Sequence, residues 1–260
     1  MNIGFSFFCP VIDRPDLPLL IFLPGMDGTG LLLHKQVKGL QKFFNLRCLV
    51  IPPNDRSDWE TLTNQVIFLI ESEWRKLKRP EIYLCGESFG GCIALSVAIN
   101  IPTLWKQLIL VNPASSFSKC PWLSWGIHLT PWIPGFIYPY SNLALLPWLV
   151  SLERISPRER QALLIALKSV PGESVSWRMS LLQNFYVSRE KLNHFTVPVL
   201  LIASGRDRLL PSVQECIYLS NQFPHAQLSV LPESGHACLL EQEVYLDKLI
   251  SSCLPILAAT

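Results

Sequence analysis

The chain alternates short apolar runs with stretches of helical periodicity. Leu19 to Leu23 is apolar throughout and stops at Pro24-Gly25, and a second run, Leu46 to Ile51, stops at Pro52-Pro53. Runs of this length closed by turn formers predict strands buried on both faces, the habit of a parallel sheet. Ser57-Asp58-Trp59-Glu60 reads as a capping box that opens a helix. On that helix Leu62, Val66, Leu69, Ile70 and Leu77 recur at helical spacing, with an end predicted near Arg79-Pro80. Ile82 to Cys85 predicts a short strand, Gly90 to Asn100 a helix of small and apolar residues, and Leu108 to Val111 another buried strand. Strands alternating with helices at these lengths predict an α/β fold with a mostly parallel central sheet flanked by helices.

The alternation stops after Asn112-Pro113 and resumes at Val199 to Ala203, followed by a helix opening at Pro211 and a strand at Gln227 to Leu231. This pattern predicts a core formed by residues 1–115 and 191–260, with a helical cap or lid, residues 116–190, inserted after the strand at 108–111. From Cys120 to Leu152 there is no Asp, Glu, Lys or Arg, and Trp122, Trp125, Trp132 and Trp148 fall within that stretch. About 20 apolar residues suffice to cross a bilayer. Here Pro121, Pro131, Pro134, Pro139 and Pro147 would break a span repeatedly, and Tyr138, Tyr140, Ser141 and Asn142 interrupt it. The expectation is a set of short helices folded over a site, with the four tryptophans as candidates for lining it and with peripheral membrane contact open to the same surface.

Composition narrows the partners. Hydrophobic residues make up 49% of the chain and charged residues 16%, and the 22 Lys and Arg are scattered, for a formal net charge of +2. No basic stripe argues for nucleic acid, and a neutral or amphiphilic small molecule fits better. Met1 to Asp13 shows no basic segment ahead of an apolar one, so the expected location is cytoplasmic. The eight cysteines lie mostly in apolar runs without a C-x-x-C pair or zinc-finger spacing, which predicts buried, reduced thiols, no metal site and no cofactor.

The sharpest local signal is Gly86-Glu87-Ser88-Phe89-Gly90-Gly91, a match to G-x-S-x-G. Chance supplies that pattern in roughly one chain of this length in ten, so its setting decides. It follows a predicted strand and opens a predicted helix, as a nucleophile elbow requires: the glycines leave room for a strained turn that presents the Ser88 hydroxyl. A nucleophilic serine needs a base and an orienting acid, and on this scaffold they come in the order Ser, acid, His, in loops after later strands. Asp207 follows the strand at 199–203, and His236 follows the strand at 227–231. The candidate catalytic residues are therefore Ser88, Asp207 and His236, on an α/β-hydrolase fold. A tetrahedral oxyanion also needs donors: the N–H of Phe89, just after the nucleophile, and the N–H of Met26, in the loop Pro24-Gly25-Met26-Asp27-Gly28-Thr29-Gly30. That loop lacks the Gly-Lys-Ser/Thr ending of a phosphate cradle.

Five segments carry a family resemblance: Leu23 to Gly30, Gly86 to Cys92, Val111 to Phe117, Leu209 to Ser212 and Ser234 to His236. Together they resemble the hydrolase portion of the phytyl ester synthase/diacylglycerol acyltransferase family of plastids and cyanobacteria, over about residues 19 to 241. The resemblance implies lipophilic acyl groups, and acyl transfer to phytol or diacylglycerol in the full-length members. Those members resemble a fusion to an acyltransferase-like domain with H-x-x-x-x-D, and none of the five histidines here precedes an Asp at that spacing. The expected function is a serine hydrolase acting on lipophilic acyl esters or thioesters. The alternatives are an acyltransferase to a lipophilic alcohol and a catalytically weak ligand-binding protein on the same scaffold.

Overall fold

A computed structural model describes residues 4–78, 80–121, 123 and 146–253. Seven strands form one sheet: β1 (Ser6–Phe8), β2 (Leu19–Leu23), β3 (Asn45–Val50), β4 (Ile82–Glu87), β5 (Trp105–Val111), β6 (Val199–Ser204) and β7 (Ala226–Leu231), in the spatial order β1-β3-β2-β4-β5-β6-β7. Only β1 runs antiparallel, pairing Phe7 with Leu49 of β3. The described helices are α1 (His34–Leu40), α2 (Trp59–Lys76), α3 (Phe89–Asn100), α4 (Pro157–Lys168), α5 (Gly172–Gln183), α6 (Arg189–Asn193), α7 (Ser212–Ser220) and α8 (Leu246–Cys253).

The two-residue period of a strand sends neighbouring side chains to opposite faces. Leu19, Ile21 and Leu23 of β2 join one core with Leu62, Val66 and Ile70 of α2, Ile93 and Leu95 of α3, and Cys216 and Leu219 of α7. Leu20 and Phe22 join the other core with Leu40 of α1 and Leu246 and Ile250 of α8. β4, β5 and β6 split in the same way, so their unbroken apolar runs follow from a sheet covered on both sides. A smaller cluster of Leu146, Val150, Ile155, Leu163 and Leu240 joins the segment around α4 to the core.

Several expectations shift by a residue or two. The cap of α2 is Asp58, whose carboxylate accepts the Thr61 N–H, while the Ser57 hydroxyl turns back to Asp55. The longer reach of a carboxylate and its charge at a helix N-terminus favour Asp over its neighbour. β1 escapes the sequence because three residues show no periodicity. Cys9 is exposed, whereas Cys48, Cys85, Cys92, Cys120, Cys216 and Cys238 are buried thiols. Trp122, Trp125 and Trp132 lie outside the described residues, and among the described residues no helix is long and apolar enough to cross a membrane.

The strand order places the site. The chain leaves β2 for β3 on one side and later returns to β4 on the other, so the loops after β2 and β4 diverge at the carboxyl edge of the sheet. Such a switch point is where open α/β sheets form ligand crevices.

Candidate active site

β4 ends at Glu87 and α3 begins at Phe89, leaving Ser88 alone at the corner with φ 55° and ψ −115°. A positive φ in a non-glycine residue costs on the order of 1–3 kcal/mol and persists only where its surroundings enforce it. Here they do. The Ser88 N–H donates to the Val111 carbonyl at 3.0 Å, and the Ser88 carbonyl accepts the N–H groups of Gly91 at 2.9 Å and Ala114 at 3.1 Å. The flanking glycines allow the close approach: a Cβ on Gly90 would stand 2.1 Å from the Leu23 carbonyl oxygen, and one on Gly86 2.3 Å from that of Gly90.

Asp207 lies in the turn after β6 and His236 in the loop after β7, and both meet Ser88 over the same edge. His236 Nε2 is 2.8 Å from Ser88 Oγ, and His236 Nδ1 is 2.7 Å from Asp207 Oδ2. An ionised carboxylate can only accept, so Nδ1 carries the proton toward Asp207 and Nε2 of the neutral ring is left to accept from Ser88. The side chains of His236 and Asp207 are 5% and 1% exposed, so their interaction is poorly screened. Asp207 Oδ1 accepts the N–H groups of Leu209 and Leu210 at 2.9 and 3.0 Å, and its Oδ2 also accepts the Ser212 hydroxyl.

These partners set the protonation states. Burial alone would raise the Asp207 carboxyl, but the charge and hydrogen bond of His236, with the donors from Ser212 and Leu210, hold it below the ordinary value. Burial alone would lower His236, and the charge and hydrogen bond of Asp207, aided by the charge of Glu87, raise it instead. Burial pushes Glu87, beside the serine, up to about 7, with His236 opposing and Asp27 adding to the rise.

Two supporting residues carried no sequence signal for a role here. Asn112, fully buried with φ 43°, follows β5 and donates to the His236 carbonyl at 2.6 Å and to Ser204 Oγ at 2.9 Å, while its Oδ1 accepts the Ser204 N–H at 2.8 Å. Its one visible clue is an Asn-Pro pair after a strand, which marks a turn and nothing more. Glu241, also fully buried, accepts the Gly235 N–H at 2.7 Å and Arg154 Nε at 2.9 Å, bracing the histidine loop.

The loop after β2 lies beside the serine: a Cβ on Gly25 would stand 3.7 Å from Ser88 Cβ. The Gly25 carbonyl accepts the Gly28 N–H at 3.0 Å, closing a turn, and the Met26 carbonyl accepts Arg178 Nη1 at 2.6 Å. Phe89 is buried against Trp59, ring centroids 5.5 Å apart, and its N–H heads α3, where no intrahelical acceptor exists. Trp148 is 47% exposed. Among the described residues no group of three or more His, Cys, Asp or Glu side chains is placed to hold a metal ion.

The sheet, with a Ser, a His and an Asp meeting at its carboxyl edge, defines an α/β hydrolase of the serine-hydrolase type. The chain belongs to the family described as "Serine aminopeptidase, S33", which residues 57–243 match. It is 35% identical to phytyl ester synthase 1, chloroplastic, of Arabidopsis thaliana over 94% of this chain. It spans only 38% of the length of that relative and 37% of phytyl ester synthase 2. A pimeloyl-[acyl-carrier protein] methyl ester esterase of Nitrosomonas europaea is 28% identical over 60% of this chain and 65% of its own length. Among solved structures, MenH from S. aureus superposes with a TM-score of 0.78 at 17% identity, covering 98% of both chains, a likeness of fold alone.

Proposed function

We propose that the protein is a serine esterase that cleaves lipophilic acyl esters or thioesters through an acyl-enzyme on Ser88. The observation that carries this reading is His236 bridging Ser88 and Asp207 at 2.8 and 2.7 Å. As Ser88 Oγ attacks the acyl carbonyl, its proton passes to His236 Nε2, and Asp207 stabilises the resulting imidazolium. The tetrahedral oxyanion is held by the N–H groups of Phe89 and Met26. Collapse expels the alcohol or thiol, which takes the proton from Nε2. Water then attacks the acyl-enzyme by the same route in reverse and releases the free acid.

Likeness to ester synthases and an ester esterase supports an acyl ester as substrate. The charge-free, tryptophan-containing stretch of the inserted segment, taken as residues 116–190, supports a lipophilic chain and a resting place against a lipid surface. A fluorophosphonate probe is expected to label the wild type and to fail with Ser88→Ala and His236→Ala. Equal labelling of the Ser88→Ala variant would overturn the assignment. A panel of acyl esters and thioesters of rising chain length then reads the substrate class.

The second reading is acyl transfer to a lipophilic alcohol, favoured by the 35% identity to a phytyl ester synthase. Both reactions share the acyl-enzyme and differ in whether water or a bound alcohol resolves it. Incubation with an acyl donor and phytol separates them: phytyl ester supports transfer, and free acid alone counts against it.

A further inference from the structure

Among the described residues Arg178 is the largest fully buried side chain, 1% exposed, and it comes from α5, between β5 and β6. Its Nη1 donates to the Met26 carbonyl at 2.6 Å and its Nη2 to the Pro52 carbonyl at 3.1 Å, so one guanidinium joins the loop after β2 to the segment just after β3. Gly28 makes room for it: a Cβ there would stand 3.0 Å from Nη1 and 3.0 Å from Ile51 Cβ, on a backbone already at φ +68°. The Gly28 carbonyl accepts the Ile51 N–H at 2.8 Å, closing the same junction.

The guanidinium's hydrogen bonds go to carbonyl oxygens, while the charges of Asp55 and Asp27 attract it. Asp27 is committed to the Thr29 N–H at 2.9 Å and the Thr29 hydroxyl. Placing a full charge in a site of carbonyls is costly, and a methionine would fill the space without that cost. What arginine adds is a rigid fork that spans two carbonyls and a positive charge against this loop.

We propose that Arg178 is a positioning residue for the oxyanion loop, holding in place the backbone that aims the Met26 N–H at the reacting carbonyl. The inference rests on the esterase reading. A trans peptide is planar, with its N–H opposite its C=O. The Gly25–Met26 peptide is held by Gly28 through the Gly25 carbonyl, and the Met26–Asp27 peptide is held by Arg178 through the Met26 carbonyl. Both planes flanking the Met26 Cα are therefore fixed, and with them the direction of the Met26 N–H. Preorganised donors of this kind act on the transition state far more than on the bound substrate.

The test compares wild type, Arg178→Lys and Arg178→Met with a chromogenic acyl ester and with an alkylboronic acid, which forms a tetrahedral adduct on the serine. Removing an oxyanion donor outright costs about 10²–10³ in kcat, so displacing one is expected to cost at least about tenfold. KM should stay within about threefold of wild type, and boronate affinity should fall in step with kcat. A merely structural role would lower the melting temperature without that proportionality. If the methionine variant does not fold, the lysine variant decides. A folded Arg178→Lys protein with kcat and boronate affinity within about threefold of wild type overturns the proposal and leaves the esterase reading standing. A wild type that neither hydrolyses the ester nor reacts with a fluorophosphonate overturns both.

Discussion

The Asn112 side chain donates to the main-chain carbonyl of His236 at 2.6 Å, so the histidine that follows β7 is held through its backbone by the residue directly after β5, two strands away in the sheet. The same amide exchanges two bonds with Ser204, tying the ends of β5 and β6 together beneath the site. Asn tolerates the left-handed φ of 43° at this corner better than most residues, which suits it to the position.

Asn112→Ala leaves a buried N–H and a buried carbonyl without partners, each worth about 1–3 kcal/mol. The expected outcome is a loss of about 3 kcal/mol in urea unfolding together with a fall in kcat as His236 loses its anchor. A stability change below about 1 kcal/mol with unchanged kcat would show that neither bond matters.

Asp207→Asn keeps the shape of the side chain and removes its charge, which permits the wrong imidazole tautomer. The expected fall in kcat is about 10⁴-fold at neutral pH with a similar melting temperature. Activity within about tenfold of wild type would place the orienting acid elsewhere.

The pH dependence follows from the direction of each shift. His236 must be neutral to accept the serine proton, and its neighbours raise it above the ordinary value of 6.5. The acid limb of kcat/KM is therefore expected above pH 6.5, with activity rising as pH increases through it. Because the charge of Glu87 contributes to that rise, Glu87→Gln should move the limb to lower pH. An unmoved limb would show that Glu87 is neutral throughout the range.

Glu87 also makes a stability prediction. Its folded value of about 7 lies above the ordinary 4.5, so the native state binds the proton more tightly. Its protonated form favours folding below pH 4.5, and that stabilisation is lost as pH rises from 4.5 through about 7. Glutamine mimics the neutral acid, so the melting temperature of Glu87→Gln relative to wild type should be higher at pH 8 than at pH 5. Equal differences at the two pH values would contradict the buried, raised carboxyl.

Gly90→Ala would place a methyl group 2.1 Å from the Leu23 carbonyl oxygen, a backbone atom that cannot swing aside. Loss of soluble folded protein is expected, as measured by circular dichroism and gel filtration. A well-folded variant would show that α3 can move off β2.

Much of the fold was legible because its cause is local and repeated. Apolar runs such as Leu19 to Leu23 and Val199 to Ala203 are buried on both faces, which removes their apolar side chains from water. The expected positions of Ser88, Asp207 and His236 were readable because each falls in a loop that follows a strand at the same sheet edge. Those strands are parallel, so their carboxyl ends must come together.

What only the tertiary structure decided lies where partners are distant in sequence. Asn112 meets His236 across 124 residues, and Arg178 meets Met26 across 152, and neither pairing leaves a periodicity or motif behind. Hydrophobic patterning records which face of an element is buried, a property of neighbours three or four residues apart. A hydrogen bond between a side chain and a remote carbonyl depends on where two loops end in space, and that is set by the strand order of the sheet.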